Sequence, residues 1–291
     1  MRLRLRDETI GGDGFPLVMG ILNTTPDSVS DGERYLTLDR QLERARELTA
    51  AGADLIDVGG ESGRTDRPAV SEDDEIARVL PLVEALSADG VRVSVDTWKP
   101  RVARAVVTAG AVMVNDVSGL RSPEIGRVAA ESGAALVLMH TRAAPKEERF
   151  PGYADPFADV ESRLGELIAR ARELGVADDQ LVVDPGPDFA KTPAETVAVL
   201  RRLGDLRALG RPVLLAVSRK YFLGAITGRP PLERTGATLA AVAHGLDQGA
   251  DILRVHDVVA VRDYLRVRAV MDARADVPAE FDPGDERLKW I

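Results

Sequence analysis

An apolar run ends abruptly in polar residues within the stretch LVMGILNTTPDS, residues 17–28. Pro26 is incompatible with a helix at this point and pushes Thr25 towards an extended conformation. Asn23 is therefore predicted to lie where a buried strand ends and a loop begins. In an α/β protein the carboxyl ends of the strands form the mouth of the site, so this stretch predicts a site residue. The alternative is an ordinary polar turn after a strand.

The same alternation of apolar and amphipathic segments continues along the chain. The apolar runs, eight in all, are Leu17–Leu22, Leu55–Val58, Val91–Val95, Ala111–Val114, Ala135–Met139, Leu181–Val183, Val213–Val217 and Ile252–Val255. The helical patterns that follow them, also eight, are Arg40–Ala51, Asp74–Ser87, Pro100–Ala109, Pro123–Ser132, Val160–Leu174, Thr196–Leu209, Ala237–Gln248 and Val259–Ala275. Near-continuous apolar strands separated by helices are typical of a parallel sheet covered by helices.

Eight strand–helix units in this length of chain predict an α/β fold of the (β/α)8 TIM-barrel type. A doubly wound sheet is the alternative. We expect a single domain over residues 1–291, with the barrel at about 15–275 and a peripheral charged tail at 276–291. Residues 1–7 alternate charged and apolar side chains, which predicts one strand of a short N-terminal hairpin.

The composition argues against several classes of protein. The chain has 291 residues, a net charge of −9 and no cysteine. An acidic chain is a poor candidate for nucleic-acid binding, and without cysteine there is no disulfide and no thiolate metal site. No apolar run is long enough to span a membrane, and the first residues lack the apolar centre of a signal peptide. We therefore expect a soluble cytoplasmic protein with small-molecule substrates, and neither a nucleic acid nor a membrane as a partner.

Each predicted strand is followed by a polar or charged residue, and in a barrel these strand ends converge on one rim. Asp96, Asn115 and Asp184 supply carboxylates and an amide, which suit a flat heterocycle with several N–H donors. The basic side chains at the other strand ends are Arg64, Arg219, Lys220, Arg254 and His256. Several of these suit an anion, and Asn23 offers a neutral oxygen that suits Mg²⁺ between the protein and phosphate oxygens. The strand ends thus predict a site for a polar heterocycle with a phosphorylated arm.

Other polar residues have structural interpretations. Asp57 is placed to brace the loop after its strand, His140 to be a core histidine with satisfied hydrogen bonds, and Lys191 to be a solvated loop charge. The chain has no P-loop motif and no convincing dinucleotide fingerprint. Neither His140 nor His256 has a Glu-x-x-His partner, which argues against a zinc hydrolase.

From about Leu17 to about Val267 the sequence resembles the dihydropteroate synthases of folate biosynthesis. The motifs that carry the resemblance follow the family's order and spacing: MGILN (19–23), TPDS (25–28), DVGGES (57–62), SVDT (94–97), NDVSG (115–119), MH (139–140), DPG (184–186), SRK (218–220) and RVHD (254–257). The family joins 6-hydroxymethyl-7,8-dihydropterin pyrophosphate to p-aminobenzoate and releases pyrophosphate. Its sulfonamide inhibitors mimic the aminobenzoate.

The resemblance implies roles for the residues that match these motifs. It places the pterin on Asp96, Asn115, Asp184 and Lys220, and the pyrophosphate on Asn23, Arg64, Arg254 and His256, with Asn23 as the ligand of Mg²⁺. It implies catalytic roles for Asp96, Lys220 and Arg64, and an arylamine site at Ser62, Phe189, Arg219 and Tyr221. The implied mechanism is dissociative: pyrophosphate leaves first, Asp96 helps to stabilise a cationic pterin methylene, and the arylamine then attacks. The resemblance also implies a homodimer, to which Val259–Ala275 would contribute.

The loops implied to hold the arylamine depart from the family's pattern. The family usually has phenylalanine at the position of Val29, threonine at Gly63, proline at Thr65, glycine at Asp66 and serine at Tyr221. Each lost hydroxyl or aromatic contact costs roughly 1–3 kcal/mol of transition-state binding.

Three functions therefore stay open at the level of the sequence. The first is a dihydropteroate synthase. The second is a divergent paralogue that binds pterin pyrophosphate but lacks this activity, and that uses another arylamine or has a binding role. The third is a folate-dependent methyltransferase with the same type of barrel, against which the Asn23 loop and the motif SRK at 218–220 argue.

Overall fold

The computed structural model describes residues 2–12, 14–24, 37–63 and 65–277. The strands are β1 Leu3–Leu5, β2 Glu8–Ile10, β3 Leu17–Asn23, β4 Leu55–Gly59, β5 Val93–Asp96, β6 Met113–Asp116, β7 Ala135–Met139, β8 Leu181–Asp184, β9 Leu214–Leu215 and β10 Ile252–Val255. The eight strands from β3 onwards form one parallel sheet in the order β8-β7-β6-β5-β4-β3-β10-β9. A parallel bridge between Val183 and Val213 joins its two edges, which confirms the predicted barrel.

Helices cover the outside of this barrel. They are α1 Leu38–Ala50, α2 Glu72–Ala88, α3 Pro100–Thr108, α4 Pro123–Ser132, α5 Pro156–Glu173, α6 Pro193–Leu200, α7 Tyr221–Thr227, α8 Thr235–Asp247 and α9 Val258–Met271. Serine, threonine or aspartate side chains accept amide hydrogens at the start of most of them, as Ser71 does for α2 and Asp155 does for α5. None of the helices in the described part of the chain has the combination of length and apolar content that a membrane span requires.

The sequence-based boundaries were wrong in three places. The helix predicted over Thr196–Leu209 is interrupted: α6 ends at Leu200, and Leu203–Leu209 forms a 3-10 helix. The strand predicted over Val213–Val217 has only Leu214 and Leu215 in regular pairing. Between it and α8 the chain forms α7, which is too short to produce a helical periodicity in the sequence.

Side chains alternate between the two faces of each barrel strand. In β4, Ile56 and Val58 pack outward against the helices, whereas Leu55 packs inside the barrel. In β6, Val114 packs outward and Met113 packs inside. The inner face is therefore apolar near the amino ends of the strands. The same alternation places polar side chains on the inner face near the carboxyl ends.

The predicted N-terminal hairpin is confirmed. Strands β1 and β2 pair antiparallel, and Leu3 and Leu5 are buried in the same cluster as the residues inside the barrel. The guanidinium of Arg92 donates to both carboxylate oxygens of Glu8, at 2.7 and 2.9 Å, and ties the hairpin to the start of β5. The hairpin thus closes the end of the barrel opposite the strand carboxyl ends.

We expect Leu5→Ala to lower the free energy of unfolding by about 2–5 kcal/mol, because Leu5 is 1% exposed and its loss leaves a cavity in the barrel floor. Urea denaturation measures the change. Thr9→Ala on the partner strand is the matched control, since Thr9 is exposed and its substitution is expected to shift stability by less than about 0.5 kcal/mol. Equal effects of the two variants would contradict a packing role for the hairpin.

Candidate active site

The inner face of the barrel becomes polar at the carboxyl ends of the strands. The register places Asn23 of β3 beside Gly59 of β4, Gly59 beside Asp96 of β5, and Asp96 beside Asn115 of β6. These positions therefore lie at one level of the barrel mouth. The predicted site residues Asn23, Asp96 and Asn115 are brought together by strand pairing alone.

Arg254 of β10 connects two carboxylates within this mouth. Its Nε donates to Asp57 Oδ2 at 2.6 Å, and its second guanidinium nitrogen donates to Asp96 Oδ2 at 2.8 Å. Asp57 is fully buried and also accepts from Ser94 Oγ at 2.6 Å and from Asn115 Nδ2 at 3.2 Å. Asp57 is thus the centre of a hydrogen-bonded cluster that fixes Arg254 and Asn115.

Burial and neighbouring charges shift the pKa of the Asp96 carboxyl group. Burial raises the pKa of Asp96 to about 7, although Arg254 acts to lower it, and the nearby Asp57 raises it further. Burial also raises the pKa of Asp184, while the amide of Gly186 and the cation of Lys220 act to lower it. A carboxyl group with a pKa near 7 changes its charge in the range in which most enzymes operate.

Asn115 presents an unpaired acceptor to this cluster. Its Nδ2 donates to Asp57, which fixes the orientation of the amide and leaves Oδ1 as the free acceptor. That oxygen is buried and has no hydrogen-bond partner in the described part of the chain. A buried acceptor without a partner costs about 1–3 kcal/mol, so this position favours a ligand with an N–H donor.

Asp184 and Lys220 lie on the other side of the mouth. Asp184 Oδ1 accepts from the amide of Gly186 at 2.7 Å, and Lys220 occupies the N-cap position of α7. The Lys220 Nζ lies 4.3 Å from the centre of the Phe189 ring. Burial lowers the pKa of Lys220, and Asp188 and Asp184 partly offset this effect. The geometry places a cation between two carboxylates and an aromatic face.

His256 lies in a region of positive charge. Its Nδ1 is 2.9 Å from Ser218 Oγ, and its backbone N–H donates to the same oxygen. The Ser218 hydroxyl therefore holds both the backbone and the ring of His256. Burial, together with Arg219 and Arg254, lowers the pKa of His256 to about 3, so the ring is neutral. A neutral N–H donor among arginines suits an anion.

Asn23 is the residue predicted from the sequence to contact Mg²⁺. A Cβ built on the neighbouring Gly59 would lie 3.2 Å from Asn23 Oδ1, so glycine at this position leaves more room beside that oxygen. Across residues 2–12, 14–24, 37–63 and 65–277, no group of three or more acidic or histidine side chains is placed to hold a metal by itself. One neutral oxygen fits an ion that takes its remaining ligands from phosphate and water.

The loops at the rim are described in part. Arg64 and Val29 lie outside the described residues. The carbonyl of Ser62 accepts from Lys146 of the loop after β7, and Glu61 lies 2.5 Å from Lys99. Among the described residues, which do not include Arg64 or 25–36, no atom lies within 4 Å of a Cβ built on Gly63. Tyr221, at the first turn of α7, is 67% exposed.

Thr65, Asp66 and Arg219 complete the set of rim residues singled out from the sequence. Thr65 and Asp66 are exposed in a turn. Arg219 has a positive φ of 59° and its amide donates to Thr238 Oγ1 at 3.2 Å.

The structure revises the interpretation of two residues. Asp57 does more than brace a loop, because it holds Arg254. Lys191 is not a solvated loop charge: it is 1% exposed and its Nζ lies 2.8 Å from His140 Nδ1. His140 is a core residue with both ring nitrogens engaged, which confirms the structural interpretation of that residue. The sequence signal for Asp57 was its position inside the apolar run Leu55–Val58, whereas Lys191 lies eight positions after the run Leu181–Val183 and had no such signal.

Comparisons with known proteins agree with this arrangement. Residues 19–256 match the model of the family described as pterin binding enzyme. The dihydropteroate synthase of Bacillus subtilis is 47% identical over 244 residues, which cover 83% of this chain and 84% of that protein. The dihydropteroate synthase of Escherichia coli is 41% identical over 245 residues, which cover 84% and 87% of the two chains.

Two solved structures share the fold along almost the whole chain. Xanthomonas albilineans dihydropteroate synthase with 4-aminobenzoic acid has a TM-score of 0.86 at 40% identity, covering 95% of this chain and 99% of that one. Yersinia pestis dihydropteroate synthase in a sulfonamide drug complex has a TM-score of 0.88 at 37% identity, covering 94% and 100%. On the strength of the matched family model and of these identities, the chain belongs to the dihydropteroate synthase family of pterin-binding enzymes.

Proposed function

We propose that this protein is a dihydropteroate synthase, a transferase that condenses 6-hydroxymethyl-7,8-dihydropterin pyrophosphate with p-aminobenzoate. The observation that carries the proposal is the unpartnered Asn115 Oδ1, buried beside Asp96 and Asp57. A pterin ring carries the N–H donors that such an acceptor lacks. One solved relative, the Xanthomonas albilineans dihydropteroate synthase, is in complex with 7,8-dihydropteroate.

We assign the pterin to Asp96, Asn115, Asp184 and Lys220. The two carboxylates and the amide oxygen accept from ring N–H groups, and Lys220 donates to a ring acceptor. We assign the pyrophosphate to Asn23, Arg64, Arg254 and His256. Arg219 also raises the positive potential there, since it is one of the charges that lower the pKa of His256.

In the reaction, the bond between the pterin methylene carbon and the pyrophosphate oxygen breaks, and its electron pair leaves with pyrophosphate. Asp96 stabilises the positive charge that develops on the pterin. The amine nitrogen of p-aminobenzoate forms the new C–N bond and then loses a proton. Mg²⁺ held at Asn23 would neutralise charge on the departing pyrophosphate. The chain's own contribution is therefore positioning and electrostatic stabilisation, and no side-chain nucleophile is required.

The divergent paralogue is the second candidate, and the observation that favours it is the lack of a side chain at Gly63 together with the exposure of Tyr221. A coupled assay for pyrophosphate release, with pterin pyrophosphate, p-aminobenzoate and Mg²⁺, separates the two. We expect release that depends on p-aminobenzoate and yields 7,8-dihydropteroate. Tight binding of pterin pyrophosphate by calorimetry without such release would overturn the synthase proposal.

We expect Gly63→Thr to lower the KM for p-aminobenzoate several-fold, because a Cβ at this position meets no atom of the described residues within 4 Å and threonine restores a hydroxyl at the rim. Steady-state kinetics at saturating pterin pyrophosphate measure it. Gly63→Val is the matched control, since it has the same branching without the hydroxyl. If both variants change the KM equally, the hydroxyl at this position makes no contact with the substrate.

A homodimer and a cytoplasmic location are part of the same proposal. Val267 and Met271 lie one turn apart on α9 and are 58% and 79% exposed, which supports an interface on that helix. Sedimentation velocity at micromolar concentration tests this, and a monomer would contradict it.

A further inference from the structure

Lys191 carries a buried amino group that the proposed reaction does not use, and burial lowers its pKa to about 7. Its Nζ lies 2.8 Å from His140 Nδ1, 2.9 Å from the carbonyl oxygen of Gly186 and 3.1 Å from that of Phe189. An ammonium group has three N–H donors, so these acceptors satisfy it completely. Burial of a charge is unfavourable unless it is fully hydrogen-bonded, and a side chain held in this way is a fixed part of the structure.

Lys191, His140 and Asp159 form a chain of hydrogen bonds in which each donor and acceptor can be assigned. Because Lys191 donates to His140 Nδ1, His140 Nε2 carries the ring proton and donates to Asp159 Oδ2 at 2.8 Å. Burial and the neighbouring Lys191 lower the pKa of His140 to about 3, so the ring stays neutral. Arg142 pairs with the same Asp159 at 2.7 Å. The chain from Asp159 through His140 thus fixes the position of the Lys191 ammonium.

The loop that Lys191 contacts has an unfavourable backbone conformation. Gly186, Asp188 and Ala190 have φ angles of 64°, 64° and 52°. A Cβ at Gly186 would lie 2.1 Å from the carbonyl oxygen of His140, which requires glycine there. Asp188 and Ala190 adopt the left-handed region without being glycine, and such conformations persist only where the surroundings impose them. Lys191 Nζ binds the carbonyls of Gly186 and Phe189, which lie on either side of Asp188.

The loop in turn positions two groups of the site. The Phe189 ring lies under Lys220 Nζ at 4.3 Å. The carboxylate of Asp188 accepts from the amide of Phe222 at 3.3 Å, in the first turn of the helix that Lys220 caps. Lys191 therefore reaches the site only through its neighbours.

We propose that Lys191 is a positioning residue for the arylamine half of the site, which acts by holding residues 185–190 so that the ring of Phe189 keeps its place. The inference rests on the proposed function for its kinetic consequence, but the fixing of the loop does not depend on any substrate. An experiment can therefore contradict the fixing of the loop without contradicting the proposed function, and the reverse.

The first test measures hydrogen exchange of the full-length protein without substrate. In Lys191→Met the amides of Gly186, Asp188 and Phe189, which are hydrogen-bonded in the present structure, are expected to exchange at least tenfold faster. Lys146→Met is the matched control, because that lysine contacts the loop at Ser62 instead. Unchanged exchange at residues 185–190 in Lys191→Met overturns the proposal, whatever reaction the protein catalyses.

The second test is a double-mutant cycle with Phe189→Leu. Lys191→Met is expected to raise the KM for p-aminobenzoate about tenfold in the native background, while the dissociation constant for pterin pyrophosphate changes by less than threefold. In the Phe189→Leu background the same substitution is expected to change that KM by less than twofold, because its route of action is already removed. Additive effects would overturn the proposal, whereas a native enzyme without turnover would overturn the proposed function alone.

Should Lys191→Met not accumulate as folded protein, Asp159→Asn tests the same chain from its far end. Asp159 is half-buried, and the variant keeps an acceptor for His140 but removes the charge. A smaller acceleration of exchange, confined to residues 185–190 and the neighbourhood of His140, is the expected result. No change at 185–190 in this variant contradicts the proposal.

Discussion

Asp96→Asn is expected to lower kcat by about 100-fold or more. Asp96 is paired with Arg254 at 2.8 Å and lies beside Asn115 in the strand register, at the place assigned to the pterin. Asparagine keeps the size of the side chain but carries no charge, so it removes the stabilisation of the cationic pterin methylene. Loss of one preorganised electrostatic contact of this kind typically costs a factor of about 10²–10³ in rate. Steady-state kinetics at saturating substrates measure the effect.

The pH dependence of kcat/KM in the native enzyme provides a second test of the role of Asp96. Because burial raises the pKa of Asp96 to about 7, the carboxyl group is largely protonated at pH 6 and largely ionised at pH 8. In the proposed mechanism the ionised form of Asp96 is the active one, so kcat/KM for pterin pyrophosphate is expected to rise across this range. In Asp96→Asn this rise is expected to disappear.

Asp116→Asn is the matched control for Asp96→Asn. Asp116 is another buried strand-end carboxylate, but its oxygens accept from the amides of Ser118 and Leu120 and so cap a loop. This control is expected to lose stability and to keep the rise in kcat/KM. A rise that persists in Asp96→Asn would remove Asp96 from the mechanism.

The barrel was predictable because short apolar runs alternate with amphipathic helical segments along the chain. The end of α6 at Leu200 was not predicted, and the segment that follows it lies close to a distant part of the chain. A Cβ at Gly204 would meet Gln248 Oε1 at 3.0 Å, so the chain approaches α8 closely there. Helical periodicity in the sequence carries no information about such an approach.

In the site, the polar strand ends were predictable, since the barrel brings all of them to one rim. Their pairing was not. The contact between Arg254 and Asp57 joins residues 197 positions apart, and that between Lys191 and His140 joins residues 51 apart. Charge alone suggested solvation for Lys191, whereas its surroundings in three dimensions provide buried acceptors. The role of such a polar residue therefore depends on a partner that is distant in the sequence.

Arg254→Met is expected to lower both stability and turnover, for separable reasons. Arg254 is the main positive charge for Asp57 and Asp96, and removing one partner of a buried ion pair typically costs about 3–5 kcal/mol. Without it the pKa of Asp96 is expected to rise further, because Arg254 is the largest influence that lowers it. The rise of kcat/KM should therefore move to higher pH, and pyrophosphate binding should weaken.

The double variant Arg254→Met with Asp57→Asn separates the two effects. Asp57 accepts from Ser94 and Asn115, and an amide in its place can accept from Asn115 and donate to the Ser94 hydroxyl, so no buried charge is left there. Urea denaturation is expected to show that the double variant regains at least about half of the lost stability, because the uncompensated carboxylate caused the loss. Turnover is expected to stay low, since neither substitution restores the cation. Recovery of turnover together with stability would mean that Arg254 serves the fold alone.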